Sequence, residues 1–148
     1  MNHIFEYIED KKYFDNQFKE YGGIVENMQF FDFREPLEKR KEFNKIRGSI
    51  FKELHTKYGN LCQLKLHNDC TNQGEVIDHF MPLSSNKLNK HLRNIPAERG
   101  KKVKTQSFGS NNSANFILAC RRCNAYKQNN FPSQQLIKNH LNNLSLRK

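Results

Sequence analysis

The chain has 148 residues, of which 36% are hydrophobic, enough for one modest domain core. No run approaches the roughly 20 apolar residues that cross a bilayer, and the mixed, acidic start MNHIFEYIEDKK is unlike a signal peptide, so we expect a cytoplasmic protein with no membrane partner. The net charge is +10, and residues 61–148 carry the whole excess, with 14 basic and 4 acidic side chains. This imbalance favours a polyanionic partner such as nucleic acid, although a basic face can also serve solubility alone.

The first 57 residues are predicted to be mainly helical and to pack on the domain that follows. Residues 3–20 have the mixed pattern of one or two helices, and Gly22-Gly23 interrupt this pattern before a short strand or loop. Pro36 marks the first turn of another helix, because its missing N–H and restricted φ suit that position. Apolar residues then recur at spacings of three and four until Gly59 ends the helix.

Shorter elements are predicted from Leu61 onward. The segments EVIDHF and NFILAC are typical of strands, and RRCNAYKQN is typical of a short helix. Ser133 is a suitable cap for a last helix that carries apolar residues on one side. These elements predict an α+β fold with a core at residues 58–131 and a C-terminal helix at residues 132–148.

A basic insertion separates the two predicted strands at residues 84–110. Residues 86–104 hold seven basic side chains and one acidic side chain, Glu98. The polar composition and the glycines predict an irregular segment, with a helical turn near residues 87–93. This insertion and the N-terminal helices are the candidates for sequence-dependent contacts with nucleic acid.

Four cysteines are arranged in two pairs around the predicted strands. Cys62 and Cys70 form a C-x7-C pair, and Cys120 and Cys123 form a C-x2-C pair. Four thiolates are the ligands of a closed tetrahedral zinc site, whereas disulfides are not expected in a chain that is not secreted. We predict structural zinc at these cysteines. Two alternatives are ordinary free cysteines and a ligand set in which His67 replaces a cysteine.

Asp78 and His79 lie side by side at the end of the first predicted strand. A buried charge is costly unless it is paired or bound to a metal. Zinc at the cysteines would bring Asn124, which follows Cys123, near the strand end that carries Asp78. The oxygens of Asp78 and Asn124 suit Mg²⁺ or Mn²⁺. His79 points to the other side of the strand, and its ordinary pKa of about 6.5 suits a general base.

The ordered set of these residues resembles the HNH endonuclease family in its zinc-bound ββα-metal form. The resemblance is carried by CQLKLHNDCTNQGEVIDHFMPLS and SANFILACRRCNAYK, within residues 58–130. His79, Asn115 and Asn124 match the positions of the family signature, and the four cysteines match its paired zinc ligands. Asn111 and Asn112 lie close to Asn115 and could be confused with it. His79 and Asn115 are separated by 35 residues, which is longer than usual in the family and marks residues 84–110 as an insertion.

The resemblance implies metal-dependent hydrolysis of DNA phosphodiester bonds to 5′-phosphate and 3′-hydroxyl ends. Asp78 and Asn124 would hold one catalytic Mg²⁺ or Mn²⁺ ion on the scissile phosphate, beside the structural Zn²⁺. His79 would activate the attacking water, and Asn115 would hold the loop between the strands and orient His79. Basic side chains would contact double-stranded DNA, namely Lys127, Arg121, Arg122, Arg93, Lys101, Lys102 and Lys104.

The small size suggests a free-standing restriction or defence nuclease, or a nuclease of a phage or mobile element. A two-fold homodimer would let one active site cut each strand of a palindrome. Two other functions fit parts of the pattern. One is a zinc-stabilised module that binds nucleic acid without cutting it, and the other is an RNase of the same fold.

Overall fold

Four α-helices and one two-stranded antiparallel sheet make up the regular structure in the part of the chain that the computed structural model describes, residues 5–84, 106–128 and 130–146. In chain order these elements are α1 (Ile8–Gln17), α2 (Pro36–Tyr58), β1 (Val76–His79), β2 (Phe116–Ala119), α3 (Arg121–Lys127) and α4 (Gln134–Leu146). Short 3-10 helices occupy Lys19–Tyr21, Val25–Phe30 and Ser113–Asn115. The predicted α+β class is confirmed. Within the described residues, no helix combines the length and the apolar character needed to cross a membrane.

The limits of the helices follow local signals that the sequence carries. Pro36 is the first residue of α2, and Gly59 follows its last residue with a φ of 65°, which a side chain would make unfavourable. The Cys120 sulfur accepts the N–H of Cys123 and thereby caps α3. Ser133 Oγ accepts the N–H of Leu136 at 3.2 Å at the start of α4. The predicted ends of these helices are confirmed to within one or two residues.

The segment after Gly22-Gly23, predicted as a strand or loop, instead forms two short 3-10 turns within Val25–Phe30, which meet at a kink where Asn27 has a φ of −126°. The Asn27 amide stabilises this segment, because Nδ2 donates to the carbonyl oxygens of Tyr21 at 3.0 Å and Gly23 at 2.7 Å. Phe31 then pairs with Gly109 in an isolated antiparallel bridge. This side-chain bond and this long-range bridge decide the conformation, and neither produces a periodic pattern in the sequence.

The two strands form a sheet whose two faces pack against different parts of the chain. β1 and β2 pair in the register Ile77 with Leu118 and His79 with Phe116. Since side chains alternate along a strand, these four residues share one face. That face lies against α2, where Phe43, Ile46, Ile50 and Leu54 complete a small apolar cluster. The other face joins a larger core, which is rich in phenylalanine and includes the cysteines.

The end of the basic insertion is part of the core. Residues 106–110 are all buried, and Phe108 is fully enclosed. Gly109 lies so close to the chain after β1 that an added Cβ would stand 2.2 Å from the Met81 carbonyl oxygen. The predicted helical turn near residues 87–93 and the predicted DNA contacts of Arg93, Lys101, Lys102 and Lys104 lie outside the described residues.

Candidate active site and metal centre

The four cysteines converge in one cluster. Their sulfur atoms all lie within 4.8 Å of one another, and the sulfurs of Cys70 and Cys120 are 3.9 Å apart. A tetrahedral zinc site with Zn–S bonds of about 2.3 Å has sulfur–sulfur separations of about 3.8 Å. The cluster therefore has the ligand type, number and spacing that could hold zinc.

Backbone N–H groups point at the sulfurs of this cluster. Cys123 Sγ accepts the N–H of Leu66 at 3.3 Å, and Cys120 Sγ accepts the N–H of Cys123 at 3.3 Å. Burial acts to raise the pKa of Cys120, but hydrogen bonds from the backbone N–H groups of Cys123 and Thr71 and from the neighbouring thiols outweigh it and lower this pKa to about 6. Thiolate formation, which metal binding requires, is therefore favoured at Cys120, whereas burial raises the pKa values of Cys70 and Cys123.

His67, the alternative ligand, is not a member of the cluster. Its Nδ1 accepts the N–H of Asp69 at 3.0 Å, and the group of clustered donor atoms consists of the four cysteines. The cluster ties the segment from Cys62 to Cys70 to the junction between β2 and α3. This link holds α3 beside β1 and brings Asn124 to the end of the strand that carries Asp78.

Asp78, His79 and Asn124 line one cavity of about 250 Å³. β1 supplies the first two side chains, and α3 supplies Asn124. The remaining wall comes from α2, from β1 and the chain after it, and from the residue that follows α3, and consists of Arg40, Phe43, Ile77, Pro82, Leu83 and Gln128. The cavity thus combines a carboxylate, an imidazole, an amide and a guanidinium in a space large enough for several water molecules.

The Asp78 carboxylate is buried against Lys127. Nζ of Lys127 lies 3.0 Å from Oδ2 of Asp78 and donates to the His79 carbonyl oxygen at 2.9 Å. Burial raises the pKa of Asp78 above its ordinary value, and the charge of Lys127 and its hydrogen bond act in the opposite direction. Lys127 was predicted to contact a phosphate, but in this structure it is 4% exposed and faces Asp78.

The His79 imidazole lies between aromatic rings on the α2 side of the sheet. Its ring centroid is 4.7 Å from that of Phe43 and 5.2 Å from that of Phe116, both in edge-to-face geometry. Nε2 lies 2.9 Å from Oδ1 of Asn111. Burial lowers the pKa of His79 to about 4, the hydrogen bond with Asn111 opposes this shift, and nearby positive charges reinforce it. The imidazole is therefore uncharged at neutral pH.

The Asn115 side chain links the backbone that follows β1 to the backbone that precedes β2. Its Oδ1 accepts the N–H of Met81 at 2.7 Å, and Nδ2 donates to the carbonyl oxygens of Met81 at 3.0 Å and Ser110 at 2.7 Å. The side chain is fully buried. It holds the backbone two residues after His79, so it acts on the position of His79 through the main chain.

The other predicted DNA contacts within the described residues are exposed arginines on α3. Arg121 forms an ion pair of 3.2 Å with Glu75, and Arg122 is exposed to solvent. Arg40 and Asn111 also meet the candidate site; Arg40 was not predicted, and Asn111 was named only as a residue that could be confused with Asn115. Arg40 precedes Phe43 by one helical turn on α2, a spacing that could have placed it beside the apolar stripe. Asn111 lies among several asparagines, and no local pattern distinguishes it.

Comparisons with protein-family models, with curated proteins and with solved structures found no match to this chain. The function of the site is therefore inferred from its own residues and geometry.

Proposed function

We propose that the chain is a metal-dependent DNA endonuclease of the HNH family, with a ββα-metal core and a structural zinc. The observation that carries this proposal is the common cavity of Asp78, His79 and Asn124, formed where β1 meets α3. A zinc-stabilised module that only binds nucleic acid has no need for a carboxylate, an imidazole and an amide in one cavity. In contrast, phosphodiester hydrolysis needs a cation ligand and a proton acceptor side by side.

The cysteine cluster fits zinc, and the oxygens of Asp78 and Asn124 are of the donor type that Mg²⁺ takes, although the Lys127 ammonium lies 3.0 Å from Oδ2 of Asp78. The sulfur cluster fits zinc by its spacing, as described above. Mg²⁺ keeps several waters and takes one or two protein oxygens together with phosphate oxygens, and Asp78 and Asn124 would supply those protein oxygens. When bound, the divalent ion would neutralise charge on the phosphate and stabilise the leaving 3′ oxygen.

The side chains around the cavity have complementary roles in this proposal. His79 is uncharged at neutral pH and accepts a proton from the attacking water. Arg40 is exposed and borders the cavity, so its guanidinium is available to a phosphate oxygen of the substrate. Lys127 holds the Asp78 carboxyl group in place, and its charge opposes the rise in the pKa of Asp78 that burial causes. Products would carry 5′-phosphate and 3′-hydroxyl ends.

The proposed substrate is double-stranded DNA, cut by a restriction or defence nuclease or by a nuclease of a phage or mobile element. Contacts with phosphates position such an enzyme without selecting a sequence. The basic insertion would strengthen this contact, and a homodimer would place a second active site on the other strand.

Replacement of Lys101, Lys102 and Lys104 by Gln should lower DNA affinity and its dependence on salt. If the variant and the wild-type protein have equal slopes of affinity against salt, DNA binding would instead be assigned to the N-terminal helices.

The decisive experiment is plasmid cleavage by the full chain with Mg²⁺, with and without a chelator. His79→Ala should abolish cleavage while the zinc content stays unchanged. His55→Ala is the matched control, because His55 lies on α2 and does not border the cavity. Cleavage that survives in His79→Ala would refute the proposal.

Parallel incubations separate the alternatives. Tight DNA binding without cleavage by the intact protein, with either Mg²⁺ or Mn²⁺, would favour the non-catalytic zinc module. Cleavage of RNA but not of DNA would favour an RNase of the same fold. Sequencing of the product ends would report the position of each cut and whether one or both strands are cleaved.

A further inference from the structure

We propose that Asn111 is a positioning residue that holds the His79 imidazole with its proton on Nε2 and its lone pair on Nδ1. The effect of Asn111 on catalysis rests on the proposed function, in which His79 acts as the general base. The placement of the proton itself depends on hydrogen bonds that the structure contains. Asn111 directly follows the insertion and is 32 residues from His79 in the sequence.

The orientation of the Asn111 amide follows from its other two contacts. Nδ2 lies 2.7 Å from the Lys39 carbonyl oxygen and 3.0 Å from Oε1 of Glu42. A carbonyl oxygen and a carboxylate can only accept hydrogen bonds, so both must face the NH₂ group of the amide. A flipped amide would set its own oxygen against two acceptors. Oδ1 therefore faces His79.

The orientation of the amide decides which ring nitrogen of His79 carries the proton. Oδ1 of Asn111 can only accept a hydrogen bond, and Nε2 of His79 lies 2.9 Å from it. Nε2 must therefore be the donor. In a neutral imidazole, the other nitrogen then holds the lone pair. Nδ1 is thus the atom that accepts the proton of water in the proposed reaction.

The Glu42 carboxylate is itself held in place by Arg34. Nη1 and Nη2 of Arg34 donate to Oε2 and Oε1 of Glu42 at 3.1 and 3.0 Å, and Nε of Arg34 donates to Asp32 at 2.8 Å. The hydrogen bond from Arg34 lowers the pKa of Glu42, and the Asn111 amide adds to this effect. Glu42 therefore stays an acceptor at neutral pH. A chain of donors and acceptors runs from Arg34 through Glu42 and Asn111 to His79.

The test is nuclear magnetic resonance of the full chain labelled with ¹⁵N-histidine, with the His79 signals identified by their loss in His79→Ala. In the wild-type protein we expect a proton bound to Nε2 that exchanges slowly with water. In Asn111→Leu this proton should exchange rapidly and disappear from the spectrum. If Asn111→Leu does not fold, Asn111→Ser removes the same acceptor with a smaller polar side chain.

A further variant separates positioning from a general structural effect. Glu42→Gln keeps an oxygen acceptor for the Asn111 amide and leaves Oδ1 of Asn111 on Nε2 of His79, so the slow proton should persist. A wild-type proton on Nδ1, or an unchanged Nε2 proton in Asn111→Leu, would overturn the inference.

Cleavage kinetics distinguish this inference from the proposed function. For an active nuclease, Asn111→Leu should lower kcat by about tenfold or more and leave KM nearly unchanged, because general-base catalysis contributes about 10² to 10⁴ in rate. An inactive wild-type protein whose Nε2 proton still depends on Asn111 would refute the nuclease and support the positioning role. Full activity in Asn111→Leu would refute the positioning role and leave the nuclease intact.

Discussion

Nζ of Lys127 lies 3.0 Å from Oδ2 of Asp78, and both side chains are more than nine-tenths buried. A buried ion pair contributes little net stability by itself, but the loss of one partner leaves a buried charge without compensation. The geometry therefore assigns Lys127 to the support of Asp78. It also places a positive charge where a metal ligand has been proposed.

The first prediction concerns this ion pair. Lys127→Met should lower the free energy of unfolding by about 3 kcal/mol or more, because it leaves the Asp78 carboxylate buried and unpaired. The double variant Asp78→Asn/Lys127→Met should lose less than the sum of the two single variants. Urea unfolding measures the free energy of unfolding of the two single variants and of the double variant. Lys138→Met, at an exposed position, is the control. Strict additivity would mean that the two side chains do not interact.

A second prediction compares two glycines. A Cβ at Gly109 would lie 2.2 Å from the Met81 carbonyl oxygen and 2.5 Å from that of Pro82, and both contacts are with backbone that cannot move freely. Gly109→Ala should therefore cost about 2 kcal/mol of stability. At Gly48, on α2, a Cβ would meet nothing within 4 Å, so Gly48→Ala should add up to about 1 kcal/mol.

Thermal unfolding of the two alanine variants beside the wild-type protein checks this comparison. The structure requires opposite signs for the two shifts in Tm. A tolerated alanine at Gly109 would mean that the end of the insertion does not pack against the chain after β1.

The third prediction is a pH dependence caused by Lys39. Its side chain is fully buried, and Nζ donates to the carbonyl oxygens of Asp32 at 2.6 Å and Gly109 at 2.7 Å. Burial lowers the pKa of Lys39 to about 8, and the charge of Asp32 only partly opposes this shift. In the unfolded chain, the pKa of a lysine is about 10.4.

Between these two pKa values the unfolded chain binds more protons than the folded protein. The free energy of unfolding should therefore rise with pH from about 8 to about 10, by roughly 1 to 3 kcal/mol. Lys39→Met removes this contribution. The quantity to measure is the stability of the wild-type protein minus that of the variant across this pH range. A constant difference would contradict the lowered pKa.

The fourth prediction concerns the cysteine cluster. The purified chain should hold about one equivalent of zinc, and Cys120→Ser or prolonged chelation should unfold residues around the cluster, because structural zinc contributes on the order of 10 kcal/mol of apparent folding free energy. Metal analysis and circular dichroism measure the two effects. Addition of Zn²⁺, but not of Mg²⁺, should restore the chelated protein. A stable fold without zinc would show that the cluster is not needed for folding.

The fifth prediction compares two cations on α2. Arg40 borders the cavity, whereas Lys52 is exposed on the same helix and does not. Arg40→Gln should weaken DNA binding and lower the slope of log K against log salt by about 1, as expected for one lost phosphate contact. Lys52→Gln should leave the slope nearly unchanged. Binding titrations at several salt concentrations would detect the difference, and equal slopes for both variants would remove Arg40 from the site.

Several elements of the fold were predictable because their signals are local. The restricted φ of Pro36 and the positive φ of Gly59 mark the ends of α2 without reference to any other part of the chain. The apolar segments around Ile77 and Leu118 are extended because their residue types favour strands. The clustering of the cysteines was predictable from ligand chemistry, since four thiolates in two pairs are the ligand set of a closed zinc site.

Other features depend on partners that are distant in the sequence. Lys127 resembles any exposed basic residue of a short helix until Asp78 is placed beside it, 49 residues earlier in the chain. Asn111 cannot be distinguished from its neighbours until α2 brings Lys39 and Glu42 next to it. Local patterns contain no information about such contacts.

The sequence by itself determined the ends of the helices, the two strands, the α+β class and the four cysteines that could hold a metal ion. These depend on backbone dihedral preferences and on the chemistry of single side chains, which are local properties. Only the tertiary structure decided that α2 covers the His79 face of the sheet, that Lys127 is buried against Asp78, and that Asn111 faces His79. These arrangements arise from packing and hydrogen bonding between distant segments, and their energy exists only when the whole chain is folded.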